Sequence, residues 1–540
     1  MKKKLITLLF LSFSILLFAQ APDWQWVAQA GGSSGNYGYC IATDDNGNSY
    51  VTGSSIGTAT FGSYSITSSG SNDVFVAKID ANGNWLWVSS AGGDIAIGRK
   101  IATDDNGNSY VTGTFRGTAT FGSYSITSSG LFDVFVAKIN ANGNWLWATQ
   151  AGGSGSNGGY GLATDNNGNI YLTGRYEGTA TFGFYSITTI GYYDIFVAKM
   201  DAYGNWLWVS STSGNGVDNV GGIAIDDIGN CYVTGDFWDT ANFGSYSIVA
   251  SSGLFDIFLA KMDANGNWLW ATQVGGIGDN KGYAITIDDN LNKFVTGSFE
   301  DTATFGSYSI TSSGSRDIFV AKMDANNNWL WATQSGGSGD DKGYRISVDN
   351  NGNSYVTGQF GNTATFGSYS ITSSGNDDIF VAKMDANGNW LWAIQAGGSG
   401  RDEGWGIETD DTGNSYVAGF FYETATFGSY SLTSSGSWDI FVAKLGNEVS
   451  VQNVITPTKM KLSNYPNPFN PSSTISFEIQ EGEKGIMSIF NLKGQLIESG
   501  EFNAGNHHYT WNADDQSTGL YFYQLKTEIS IQTRRMLLLK

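Results

Sequence analysis

Two short apolar alternations recur along most of this chain, about 61 residues apart. One is a W-x-W pair, at Trp24/Trp26, Trp85/Trp87, Trp145/Trp147, Trp206/Trp208, Trp268/Trp270, Trp329/Trp331 and Trp390/Trp392. The other reads D-[VI]-F-[VL]-A-K and begins at Asp73, Asp133, Asp194, Asp256, Asp317, Asp378 and Asp439. Both have period two, as a strand needs when successive side chains leave on opposite faces. Read from Trp85, one repeat predicts a strand from Asn84, a second at 101–103, and a third at 109–112 after the turn from Asp104. A hairpin over 118–126 and a last strand from Asp133 complete it. Gly122-Ser123 at the hairpin tip suits a two-residue type II′ turn, whose first central residue takes positive φ. Short strands punctuated by Asn-Gly turns at fixed spacing make the fold all-β and repetitive.

The ends of the array are offset. The first W-x-W has no D-x-F strand before it, and the last D-x-F strand, ending at Lys444, has no W-x-W after it. These orphans complement each other if Trp24 supplies the outer strand of the last repeat. The expectation is a seven-bladed β-propeller over 22–448, closed by its N-terminal strand. An open solenoid has no use for complementary ends.

Residues 23–456 contain no proline, and proline returns at Pro457, Pro466, Pro468 and Pro471. The stretch 449–461 reads as a linker, and 462–540 as a second domain. Alternating runs at 472–480, 485–491, 507–511 and 520–526 predict a small β-sandwich there. At the other end, Lys2, Lys3 and Lys4 precede an apolar run and Ala19-Gln20-Ala21, so 1–21 reads as a cleaved signal peptide. That run is too short to span a bilayer comfortably, and no transmembrane segment is expected.

With 41% hydrophobic residues the chain can bury a core, while its formal charge of −21 offers no basic patch to nucleic acid or anionic lipid. The repeats contain no histidine; His507 and His508 both lie in the second domain. Ser-His-Asp catalysis and histidine-held metals are thereby excluded from the repeats. Cys40 and Cys231 occupy non-equivalent positions and predict no disulfide. The Asp44-type turns open like a calcium loop, but the twelfth position is Ser55 where a bidentate Glu is required, so turn chemistry is expected and no cofactor. Glycoside hydrolysis by carboxylates alone stays open, though no acidic pair stands out.

The copies differ mainly in three places: after the V-T-G strand, before D-x-F, and in the Gly-rich loop. In up-and-down blades these connections emerge on one face, with the near-constant Asn-Gly turns on the other. A constant frame with a diversified loop face suits a binding scaffold. The candidate ligand contacts are Arg116, Arg175, Glu177, Trp238, Glu300, Tyr422 and Trp438, since several are aromatic or Arg, the types that anchor interfaces.

The motif G-Y-x-I-A-x-D-x-x-G-N-x-Y-V-T-G…D-x-F-V-A-K-x-[DN]-A-x-G resembles the SBBP-type β-propeller repeat across 22–448. That family implies bacterial extracellular propellers and carries almost no catalytic information. The runs Asn464–Pro471, Ile489–Gln495, Gly519–Gln524 and Met536–Lys540 resemble a type IX secretion C-terminal sorting domain. It implies handling by the type IX machinery through 462–540, in a Gram-negative-type bacterium, with release or surface attachment. The expected role is a secreted or cell-surface module that binds a protein or glycan and is not an enzyme. A carboxylate-based polysaccharide enzyme and a structural surface protein are the alternatives.

Overall fold

The computed structural model describes residues 21–446 (apart from 45, 105, 252, 253 and 411), 462–527 and 531–540. The signal peptide, but for Ala21, and the linker at 449–461 lie outside the described residues. The chain divides between 448 and 449 into two compact units. Every regular element among the described residues is a strand, and no helix there is long and apolar enough to cross a membrane.

Four-stranded antiparallel sheets repeat along the first unit. One runs in the order Asn36–Thr43, Ser49–Ser55, Asp73–Ile79, Trp85–Ala91. Six further sets have the same order, and the last is Glu403–Thr409, Ser415–Phe421, Asp439–Leu445, then Trp24–Gly31. Its fourth strand is thus the first strand of the chain, with Trp24 opposite Leu445 and Gln29 opposite Phe441. Trp24 is only 8% exposed. It meets Phe427 edge-on at 5.2 Å, as Trp85 meets Phe61 at 5.1 Å within one repeat. The first strand of each set packs on that of the next, and Glu403–Thr409 packs on Asn36–Thr43.

The two tryptophans of each pair work in opposite directions. Trp85 Nε1 donates to Gln29 O of the preceding outer strand at 3.2 Å, and Trp87 Nε1 to Ala141 O of the following turn at 2.9 Å. Between sets lie clusters such as Ala30, Ile41, Val51, Phe61, Phe75 and Val442, into which Trp26 and Trp85 both pack. The hairpins hook onto the preceding outer strand, Phe61 opposite Ala30. Their tip glycines take the positive φ that the turn requires, +61° at Gly122.

The second strand of the repeat is longer than the pattern predicts, Ile95–Thr103. A bulge between Gly98 and Lys100 interrupts its alternation. In the C-terminal unit the runs at 472–480 and 485–491 are one strand, Ser472–Asn491, paired along its length with Leu496–Asn512. All five strands therefore join one sheet and not two separate ones. A register shift between Ile479 and Lys484 divides the long strand, as bulges do where strands bend. Side chains from both halves, Phe477 and Ile489 among them, share a core with Trp511 and Leu525.

Candidate binding site

The loops after V-T-G, before D-x-F and in the Gly-rich segment come together. Arg116 pairs with Asp94 of the Gly-rich loop at 2.7 Å and lies over Phe132, 5.8 Å from its ring centre. Arg316 reaches Glu300 at 3.0 Å and Asp279 at 3.1 Å, drawing on all three segments at once. Trp438 stands 5.4 Å from Tyr422, 5.3 Å from Phe420 and 6.3 Å from Tyr37.

A second feature lies where the first strands converge. Each carries a bulge at the same place, and the extra residue is Tyr39, Arg99, Tyr160, Gly221, Tyr283, Tyr344 or Trp405. A bulge re-aims the side chain it frees, and these seven line a common cavity of about 250 Å³. In six sets a glycine precedes the bulge, and in five of them the strand presses there on the V-T-G threonine of the previous set. A Cβ on Gly404 would stand 2.3 Å from Thr357 Oγ1, and one on Gly343 2.5 Å from Thr296 Oγ1. The ring is continuous on one side: Trp405 stacks on Tyr344 at 4.4 Å, Tyr344 meets Tyr283 at 5.6 Å, and Trp405 meets Tyr39 at 5.5 Å. Arg99 closes over Tyr39 at 4.8 Å.

The two features join at Tyr37, which is stacked 6.0 Å from Tyr39 and edge-on to Phe420 at 5.0 Å. One aromatic tract thus runs from Tyr422 and Trp438 to Trp405 and Tyr344. Its polar groups are fixed. Glu403 accepts Trp405 Nε1 at 2.6 Å and Arg401 Nε at 2.8 Å, and Tyr344 O–H donates to Gln359 Oε1 at 2.6 Å. Burial, more than any neighbour, pushes the Tyr39 and Tyr344 hydroxyls above their usual range and Tyr283 to about 12. These hydroxyls stay neutral donors at any physiological pH. Asp236, raised to about 7 by burial, accepts Asn219 Nδ2 at 2.9 Å.

Of the residues singled out from sequence, Tyr422 and Trp438 lie within this tract. Arg175 borders it, 5.7 Å over Tyr160 and 4.8 Å over Tyr193, and donates to Asn219 Oδ1 at 3.0 Å. Trp238 is exposed (40%) in another set. Glu177 accepts Ser156 N–H at 3.0 Å, while Glu300 and Arg116 are held in the ion pairs above. The cavity ring itself was missed. Its signal was the residue after the glycine that precedes the bulge, Tyr in four copies and Arg or Trp in two others, which the bulge converts into a lining position.

The Asp44-type turns use their own carboxylates. Asp44 Oδ1 accepts Asn46 N–H at 3.0 Å and Asn48 N–H at 2.9 Å, and Oδ2 accepts Tyr50 O–H at 3.1 Å. Hydrogen bonds to Asn48 help hold this acid below its usual range, against the pull of burial. Cys40 and Cys231 are buried free thiols.

Comparison with known proteins places both units. Residues 25–58, 89–114, 146–175 and 330–359 match the Beta-propeller repeat family. Residues 463–539 match the Secretion system C-terminal sorting domain. An uncharacterised WD repeat-containing protein of Acanthamoeba polyphaga mimivirus is 27% identical over 251 residues, 39% of this chain and 18% of that protein. The chain therefore spans under a fifth of its relative. Among solved structures, a puromycin hydrolase variant aligns with 83% of this chain and 59% of its own at TM-score 0.41 and 10% identity. An apocarotenoid oxygenase from Synechocystis aligns with 79% and 94% at TM-score 0.36 and 8% identity. Neither carries an argument about activity. The chain is a protein of β-propeller repeats with a type IX secretion sorting domain, which directs it to secretion and the cell surface.

Proposed function

We propose that the repeats form a seven-bladed ring closed by the chain's own first strand, and that this ring is a non-enzymatic module binding a protein or glycan outside the cell. Closure is supported by the pairing of Trp24–Gly31 with Asp439–Leu445 and by the packing of each first strand on the next. The observation that carries the binding role is the aromatic tract from Tyr422 and Trp438 to Trp405 and Tyr344. Rigid rings offer contact area with little ordering entropy, which is why Tyr and Trp dominate binding surfaces. Binding is favoured over hydrolysis because Glu403, the acid within the tract, is committed to Arg401 and Trp405. A poised acid pair would instead need one carboxyl free to donate and one free to accept.

The test is an array of glycans and surface proteins probed with the mature chain. A ligand whose binding falls at least tenfold with Trp438→Ala, at unchanged Tm, supports the reading. Turnover of an arrayed glycan, or a ligand indifferent to Trp438 and Tyr422, contradicts it.

A further inference from the structure

We propose that the cavity where the bulged residues meet is a site for an acidic sugar, its ring against the aromatic wall and its carboxylate on Arg99 and Arg345. The inference deepens the binding reading and rests on it for the role of the tract. Charge is the first argument. The molecule carries −21 overall, yet Arg99 and Arg345 both line this cavity. Glu408 is the carboxylate that acts on both Arg345 and Lys100, the residue after Arg99. Among the described residues that line the cavity there are two arginines and no carboxylate, which leaves a local excess of positive charge. Glu403, the next acid, is already paired with Arg401 at 2.8 Å.

Donor geometry is the second argument. Arg345 Nη1 is held by the carbonyls of Tyr283 at 3.0 Å and Tyr344 at 3.2 Å, while its Nε has no partner. Arg99, stacked on Tyr39, likewise has an Nε with no partner. A buried guanidinium N–H left unfilled is a costly arrangement unless an acceptor arrives, and a carboxylate is the acceptor that a guanidinium fork fits best. Size and shape are the third. About 250 Å³ admits one sugar ring. Gly221 lines it too and is the one bulged position without a side chain. Neutral tyrosine hydroxyls and aromatic faces supply the mixed polar and apolar lining that sugar-sized ligands need.

Titration calorimetry of the mature full chain tests this with four probes: a galacturonate oligosaccharide, its methyl ester, a neutral galactose oligosaccharide of equal length, and acetate. The galacturonate oligosaccharide is expected to bind at least tenfold more tightly than its ester and the neutral chain, with acetate giving no measurable heat. Arg345→Gln and Arg99→Gln are each expected to remove that preference. Equal binding of acid and ester overturns the proposal, and needs no variant to fold. Acetate binding as tightly as the oligosaccharide reduces the site to an anion site and overturns the sugar. Absence of galacturonate binding overturns the proposal while leaving the binding reading to stand or fall on the array.

Discussion

The aspartates beneath the loop face show how much depends on single atoms. Each D-x-F aspartate is buried, and Asp378 Oδ2, for example, accepts Ser374 N–H at 2.9 Å. In two sets an asparagine faces this acid: Asn157 Nδ2 donates to Asp133 Oδ1 and Asn280 Nδ2 to Asp256 Oδ1, both at 3.3 Å. Asp218, Asp341 and Asp402 take that place in three other sets, so acid faces acid. Asp402 already accepts Gly398 N–H at 2.8 Å and Tyr422 N–H at 3.0 Å, while Asp378 Oδ1 has no partner. Only a retained proton satisfies such a pair. Burial first and the facing acid second raise Asp341 and Asp402 to about 7 and Asp218 to about 8. With folded values above the unfolded value of about 4, the stabilisation is complete below about pH 4 and is lost as pH rises through 7 to 8. The Tm is therefore expected to fall between pH 5 and pH 9, and Asp218→Asn, Asp341→Asn and Asp402→Asn together to flatten that fall. A melting profile of equal slope in the triple variant contradicts the shared protons.

At the scale of the element, the bulges and the turns lead to separate expectations. Gly404→Ala drives a Cβ to 2.3 Å from Thr357 Oγ1, so it should cost about 1–3 kcal/mol, as overpacking does. Chemical denaturation measures this, and a neutral result means the strands can part there. The Asp44-type turns, with both carboxylate oxygens engaged, are expected to shift Tm by no more than about one degree on chelation. A large calcium-dependent rise would make them ion sites. These elements also mark what was legible in the sequence. Period-two runs placed the D-x-F and W-x-W strands, and Gly-Ser placed the hairpin tips, because those features are local. The first strands were read too short, since a bulge adds one residue and breaks the alternation on which the reading depends. Tyr39, Tyr344 and Trp405 fall just outside the strand so read, at the bulge itself. In the C-terminal unit two predicted strands proved to be one, because alternation reports pleat and not continuity across a bend. Glu300 and Glu177 vary between copies, but variation does not show ion pairs such as Glu300 with Arg316.

For the whole molecule, the pairing of Trp24–Gly31 with Asp439–Leu445 places segments more than 400 residues apart in one sheet. Trp24→Ala with Trp26→Ala removes two indoles packed as their counterparts are, each worth about 3–5 kcal/mol. The same pair of changes at Trp206 and Trp208 should cost a similar amount, and denaturation midpoints compare them. A negligible loss at Trp24 and Trp26 alone would mean that the ring does not depend on its seam. That seam lies beside the richest part of the aromatic tract, where Tyr37 of the first repeat meets Phe420 and Trp438 of the last. The proposed closure and the proposed binding therefore meet in one place. Hydrogen exchange of the mature protein with and without its captured ligand tests this most directly. The account predicts protection on 37–39, 401–405, 420–422 and the segment around Trp438; protection confined to the Asp44-type turns would contradict it.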